Sequence, residues 1–291
     1  MNLCEWIFTL GLFLPAGFLV NTPPPTPQSL YLSTNTGSDW VAFSEGIPEG
    51  ELGNQLFDLD GELFLITSKN RLYRLPPGDC VWQPTGMDKF QQDDLFYTSL
   101  TGQGDELVAA TLQKGIFLSY DRGRNWHRPV FNIPNPEVMC LTFFEDKLYA
   151  GTSRGIYISY DGGSTWHKGP GEHFPVYNLF PIDGELLVAR QNGLGAVTKE
   201  GINWSATQTK TAVLQLLEEQ ETVYATTASA ELYRRETSGE WTEITGHNAT
   251  LFENDLRRRL RPRLPVTLPD SYSTRIHSTA YGWLALVRSG C

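Results

Sequence analysis

GIFLSYDRGRNW, from Gly115 to Trp126, and GIYISYDGGSTW, from Gly155 to Trp166, decide the fold. They align without a gap. Each opens on an apolar, strand-forming run and ends in a Gly-bearing turn closed by Trp. SLYLSTNTGSDW (Ser29 to Trp40), RLYRLPPGDCVW (Arg71 to Trp82) and GLGAVTKEGINW (Gly193 to Trp204) fall on the same frame, and ELYRRETSGEW (Glu231 to Trp241) joins it with one deletion. The tryptophans at 40, 82, 126, 166, 204 and 241 are therefore 42, 44, 40, 38 and 37 residues apart. A period near 40 marks an internal repeat rather than a set of unrelated elements.

Each repeat reads as four short strands, A to D. In the second repeat A spans Asn54 to Gly61, B spans Glu62 to Ser68, C spans Arg71 to Leu75, and D starts at Val81. The runs are rich in β-branched and aromatic residues and are bounded by Gly, Asp and Asn. Leu214 to Glu221 is ambiguous between helix and strand. Four strands per unit at this period predict an all-β, six-bladed β-propeller of four-stranded antiparallel blades. The first repeat has only C and D (Ser29 to about Ser44), and Ser273 to Gly290 reads as A and B alone. Pairing these pieces closes the ring and removes free sheet edges. Seven blades are the alternative, with further irregular strands between Leu251 and Pro269.

SYDRGRNW (Ser119 to Trp126) and SYDGGSTW (Ser159 to Trp166) resemble the Asp-box, S-x-D-x-G-x-T-W, also called the BNR repeat. It recurs in sialidases, sortilin-type receptors, some xyloglucanases and photosystem II assembly factors. The resemblance implies a structural hairpin built on Ser119, Asp121, Gly123 and Trp126, and on Ser159, Asp161, Gly163 and Trp166. The Asp carboxylates are expected to accept backbone N–H bonds, as in an Asx-turn. The glycines supply positive φ, and the tryptophans pack over the turn. The other copies are degenerate: Asn35, Pro77, Lys199 and Thr237 stand where the Asp belongs. The blade from Gly151 to Trp166 looks most like those of the photosystem assembly factors, which carry seven blades.

A box of this kind does not carry an activity. Resemblance to sialidases implies three arginines on the substrate carboxylate, a Tyr–Glu nucleophile pair and an Asp acid/base. The arginine motif is missing: the first blade offers Gly46-Ile47-Pro48 and the first basic residue is Lys69. Tyr97, Tyr177 and Tyr272 sit near strand A starts, where packing explains a tyrosine as well as chemistry does. The five histidines lack metal spacing, and no P-loop, nucleophile elbow or dinucleotide fingerprint occurs. Neither a cofactor nor a metal is expected, and catalytic residues stay unassigned.

The chain has 291 residues, 40 % hydrophobic, with a formal charge of −10. That composition supports a sizeable core and argues against non-specific nucleic-acid binding. Four cysteines do not make a disulfide scaffold, and the spread of Cys80, Cys140 and Cys291 suggests no pairing. Residues 1–21 contain a signal-like apolar run, Trp6 to Val20, shorter than the roughly 20 residues of a spanning helix. No Lys or Arg precedes it. Residues 22–28 form a Pro-rich linker, and 29–291 the propeller, with a basic loop insert at 247–271. Export to a periplasmic or extracellular location is expected, with an uncleaved membrane anchor as the alternative.

In a propeller the A–B and C–D turns share one face, and the B–C and D–A connections share the other. Four of the five complete B–C turns carry a basic residue: Lys69 and Arg71, Lys114, Arg154, and Arg190. Arg288 ends the last strand B near the same rim, and the long D–A connection adds Arg257, Arg258, Arg259, Arg261 and Arg263. This pattern predicts a basic face on an acidic protein. An anionic glycan, a lipid headgroup or an acidic protein would suit it, while a solvated polar rim is the plain alternative. The expected function is an exported, monomeric, non-catalytic module for ligand or protein binding and assembly. A sialidase-like hydrolase acting on an acidic glycan is the alternative.

Overall fold

The computed structural model describes residues 29–35, 38–93, 95–129, 137–169, 174–198, 201–207, 209, 211–219, 222–229, 231–244, 272–279 and 281–289. In chain order the strands begin with β1 (Leu30–Ser33) and β2 (Val41–Ala42). Next come β3 (Gly53–Leu59), β4 (Glu62–Thr67), β5 (Leu72–Leu75) and β6 (Gln83–Pro84), then a 3₁₀ segment, Gly86–Asp93. They continue with β7 (Tyr97–Gln103), β8 (Glu106–Thr111) and β9 (Gly115–Ser119), then β10 (Val138–Phe144), β11 (Lys147–Thr152), β12 (Gly155–Ser159) and β13 (His167–Lys168). After these follow β14 (Val176–Ile182), β15 (Glu185–Arg190), β16 (Gly193–Thr198) and β17 (Gly201–Thr207). The last are β18 (Val213–Glu219), β19 (Thr222–Thr227), β20 (Leu232–Arg235), β21 (Trp241–Ile244), β22 (Tyr272–Thr279) and β23 (Gly282–Ser289). They form antiparallel sheets, five of four strands and one of three among the described residues.

The chain divides into two compact units, one holding β1–β6 with β22 and β23, the other β7–β21. In the first unit one sheet has the order β2-β1-β23-β22. Leu30 pairs with Leu286 and Ser33 with Trp283, so early and late segments share a ladder. Leu30, Leu32, Leu284 and Leu286 pack against Leu63 and Leu65 of the β3–β6 sheet. Tyr281 braces the two sheets: its hydroxyl donates to the Pro76 carbonyl at 2.6 Å and accepts from Gly78 N–H at 3.1 Å. Trp82 is 1 % exposed and donates Nε1–H to the Phe43 carbonyl at 2.9 Å.

Strand B sits between two neighbours in its own sheet, and β4, β8, β11 and β15 are covered on both faces over most of their length, whereas β19 alternates buried and half-buried residues. Every residue of β4 is buried, which is why ELFLIT reads as a continuous apolar run rather than an alternation. The A–B hairpins use left-handed pairs, Asp60-Gly61 (φ 53 and 78), Glu145-Asp146 (47 and 58) and Asp183-Gly184 (48 and 77). Two consecutive positive φ values are what a tight I′ hairpin needs to match the strand twist. In the second unit Val108, Ile116 and Leu118 pack on Val138, Leu141 and Leu148, and Leu187, Ala189 and Leu194 pack on Val213 and Val223. The core therefore lies between adjacent sheets.

Several expectations change. The β7–β9 sheet has three strands, and its fourth shrinks to the bridge Leu118↔His127. The cause is one residue. In the aligned sheet Gly169 N–H donates to the Ile156 carbonyl at 2.9 Å. Pro129 holds that position beside β9 and has no N–H to give. Strand D of the second repeat is Gln83–Pro84 rather than starting at Val81, and the ambiguous Leu214 to Glu221 stretch is strand β18. The 3₁₀ segment was not foreseen. Cys80 is disulfide-bonded, against the sequence expectation, whereas Cys140 is a buried free thiol. The apolar segment and linker at 1–28 and the basic loop at 247–271 lie outside the described residues. Among those described, no helix is long and apolar enough to cross a membrane.

Candidate binding face

The turns after strand C are local staples. Asp121 accepts Asn125 N–H at 2.8 Å and the Asn125 side-chain amide at 2.7 Å, while the Ser119 hydroxyl donates to it at 2.9 Å and accepts Gly123 N–H at 2.9 Å. Asp161 repeats this with Thr165 N–H at 2.8 Å, the Thr165 hydroxyl at 2.6 Å and Ser159 at 2.8 Å; Ser159 takes Gly163 N–H at 2.8 Å. Gly163 has φ 96, and a Cβ there would lie 2.9 Å from Leu118. Trp126 and Trp166 are buried, each donating Nε1–H at 3.0 Å to Gly123 and Gly163 respectively. Burial pushes both Asp carboxyls up, but the donated hydrogen bonds outweigh it and hold them below the ordinary carboxylate range. Asn35, read as a degenerate copy, does the same work. It accepts Asp39 N–H at 2.9 Å and the Ser33 hydroxyl at 2.9 Å.

Within the second unit the leading ends of the A strands lie side by side. The Thr98 hydroxyl of β7 donates to the Val138 carbonyl of β10 at 2.7 Å, and Ser99 Oγ accepts Leu141 N–H at 3.1 Å. Cys140 Sγ reaches the Val176 carbonyl of β14 at 3.9 Å. Each A strand here carries a bulge at its second residue, Thr98, Met139, Tyr177 and Leu214. A bulge twists the strand and re-aims a side chain. The bulged residues are half-buried, except Leu214, which is 45 % exposed.

The B–C turns meet these same ends. Leu112 N–H donates to the Phe96 carbonyl at 2.9 Å, and the two side chains are 38 % and 55 % exposed. Lys114 N–H donates to Thr111 Oγ1 at 3.2 Å, and Arg154 N–H to Thr152 Oγ1 at 3.0 Å. These bonds fix the turns from which both cations extend, Arg154 exposed and Lys114 half-buried. The result is an end of the unit carrying exposed apolar side chains, the two cations and, in the place of Phe96 one repeat on, the exposed carboxylate of Glu137, whose carbonyl accepts Ser153 N–H at 3.2 Å. An apolar residue inside a polar turn, LQKG, was the sequence signal for Leu112; the bulges had none.

The other expected cations divide. Arg190 is the last residue of β15, not a turn residue, and is 6 % exposed. Its sister hairpins end in Thr67, Thr111, Thr152 and Thr227 there, and its guanidinium carbon lies 6.0 Å from the centre of the Phe174 ring. In the first unit Lys69 is exposed, but Arg71 pairs with buried Glu51 at 2.6 Å. The Tyr73 hydroxyl and then the Glu51 charge hold Arg71 further above its usual value. Arg288 pairs with Ser273 in the β22–β23 ladder. Arg257, Arg258, Arg259, Arg261 and Arg263 lie outside the described residues. Of the described A strands in the second unit, none carries an arginine at its leading end, and Tyr97 there is 9 % exposed. No group of three potential metal-binding side chains occurs among the described residues.

Comparison with protein-family models and with curated protein sequences finds no match. Comparison with solved structures does. The extracellular domain of BT4673 from B. thetaiotaomicron aligns over 86 % of this chain and 34 % of its own length, at 14 % identity and TM-score 0.54. A GH74 xyloglucanase from Xanthomonas campestris aligns over 90 % of this chain and 49 % of its own, at 13 % identity and TM-score 0.53. The WD40 β-propeller domain of Doa1 aligns over 77 % and 74 %, at 11 % identity and TM-score 0.51. The chain thus spans about a third to a half of the first two. At these identities the likeness concerns fold alone, and the fold is a β-propeller.

Proposed function

We propose that the chain is an exported, six-bladed, non-catalytic propeller that binds a protein partner through the face bearing the B–C turns. The ring reading rests on the β2-β1-β23-β22 sheet, in which early and late strands make one blade, and on six sheets following the sequence repeat. The paired turns at Asp121 and Asp161 support the Asp-box resemblance. The disulfide at Cys80 supports an oxidising compartment, as does the signal-like segment.

The observation that carries the binding assignment is the Phe96–Leu112 rung. Two large apolar side chains stand exposed on one backbone hydrogen bond, with Lys114 in the same turn and Arg154 in the turn of the next sheet. Exposed apolar groups rimmed by charge mark interaction sites. On a protein of net charge −10 a cationic rim selects an acidic segment carrying apolar residues. Arg257, Arg258, Arg259, Arg261 and Arg263 extend that character on the sequence reading.

A displayed library of random peptides, selected on the immobilised full chain, tests this. Wild type enriches peptides combining Asp or Glu with large apolar residues. The variant carrying Phe96→Ser, Leu112→Ser, Lys114→Ser and Arg154→Ser, still folded and unfolding cooperatively, enriches none of them. Equal enrichment by both proteins overturns the assignment.

A further inference from the structure

The β18–β21 sheet breaks the repeat at its last turn. Where the aligned sheet has Ser159 and Asp161, this one has Arg235 and Thr237, and the turn is one residue shorter. The Asp position of the box holds no carboxylate, and Glu236 takes side-chain hydrogen bonds from Arg234 and Thr242 instead. Backbone bonds hold the turn, Glu236 N–H to the Glu240 carbonyl at 2.8 Å and Gly239 N–H to the Glu236 carbonyl at 2.9 Å. Arg235 instead reaches the neighbouring sheet and donates Nη2–H to Glu185 Oε2 at 2.5 Å. Between that turn and the β14–β15 hairpin lies a cleft of ≈ 440 Å³. It belongs to the A–B and C–D turns, at the opposite end of these strands from Leu112 and Arg154.

Its lining alternates donors and acceptors. Arg235, Thr237 and Ser238 stand on one wall and Asp183 on the other, with apolar surface from Ile182 and Val223. Among the described lining residues stand three carboxylates and one guanidinium, and ion pairs offset two of the carboxylates. Glu185 is paired with Arg235, and Glu236 with Arg234 at 2.8 Å, which leaves the exposed Asp183 as one added carboxylate. A strong cation meets the Arg235 guanidinium, and a strong anion meets Asp183. A neutral molecule with many hydroxyls suits both walls, since each hydroxyl donates to a carboxylate and accepts from a guanidinium. The volume falls in the usual range for small-molecule clefts, roughly 300–1,000 Å³. We infer that this cleft is a binding site for a neutral mono- or disaccharide, formed where one turn replaced the Asp of the box by Thr237.

Saturation-transfer NMR on the full chain, with glucose, galactose, mannose and cellobiose as probes, tests the site. At least one probe binds wild type saturably, with a dissociation constant on the order of millimolar. Ser238→Trp plugs the cleft from an exposed position without touching the Arg235–Glu185 pair, and lowers affinity about tenfold or more. Asp183→Asn, on the other wall, lowers it several-fold. Both keep the wild-type unfolding midpoint. Absence of binding by wild type at about 100 mM probe overturns the inference, and so does undiminished binding by Ser238→Trp. The peptide-face variant keeps sugar binding, so failure of one site is distinguishable from failure of the other.

Discussion

Leu112 N–H donates to the Phe96 carbonyl at 2.9 Å, and this single rung presents two exposed apolar side chains together. The bond is between backbones, so it does not depend on either side chain. Leu112 is 38 % exposed and Phe96 55 %, so each keeps only part of the stabilisation that full burial would bring. Phe96→Ser with Leu112→Ser is therefore expected to lower unfolding free energy by about 1–2 kcal/mol in urea titration. A loss of several kcal/mol would make the pair structural rather than functional.

The staple at Asp161 makes a sharper stability prediction. Its carboxylate takes a backbone N–H, the Thr165 hydroxyl and the Ser159 hydroxyl. Asp161→Ala is expected to cost about 0.5–2 kcal/mol, as for the loss of an exposed capping side chain whose donors can turn to water. Asp161→Asn should cost less, because Asn35 holds an equivalent turn. The folded-state pKa is depressed, so the contribution is present above the unfolded value and fades as pH falls through the folded one. Urea unfolding at pH 7 and pH 3 checks this: the gap between wild type and Asp161→Asn narrows at pH 3.

Cys140 and Gly151 meet in the core of the second unit. A Cβ at Gly151 would lie 2.4 Å from Cys140 Sγ and 2.7 Å from Val176. Gly151→Ala is expected to destabilise by about 1–3 kcal/mol through overpacking, measured by thermal unfolding. Burial pushes the Cys140 thiol up to about 12. It should resist iodoacetamide at pH 8 in the native protein and react on unfolding. Modification of the native protein at the rate of a free thiol would contradict this burial.

The repeat made most of the fold readable. Box tryptophans set the frame, and apolar runs such as ELFLIT fixed strand B, because a strand covered on both faces shows no alternation. The shortened β7–β9 sheet was legible in principle: Pro129 against Gly169 is a one-residue difference whose consequence is a lost donor. The face was harder. Basic residues in turns were visible, but Arg190 was counted as a turn residue although it ends a strand and is buried. Nor could the sequence tell that Arg71 is held by Glu51, a partner 20 residues away. Bulges at Thr98, Met139, Tyr177 and Leu214 leave no mark in composition, since any residue can occupy them.

Hydroxyl-radical footprinting of the full chain, with and without a selected acidic-apolar peptide, tests the binding assignment most directly. Labelling is expected to fall at Phe96, Leu112 and Leu214 and stay unchanged at Tyr120 and Tyr160, which are 51 % and 61 % exposed on the turns at the opposite end. Protection of Tyr120 and Tyr160, with Phe96 and Leu112 labelled as before, would contradict it.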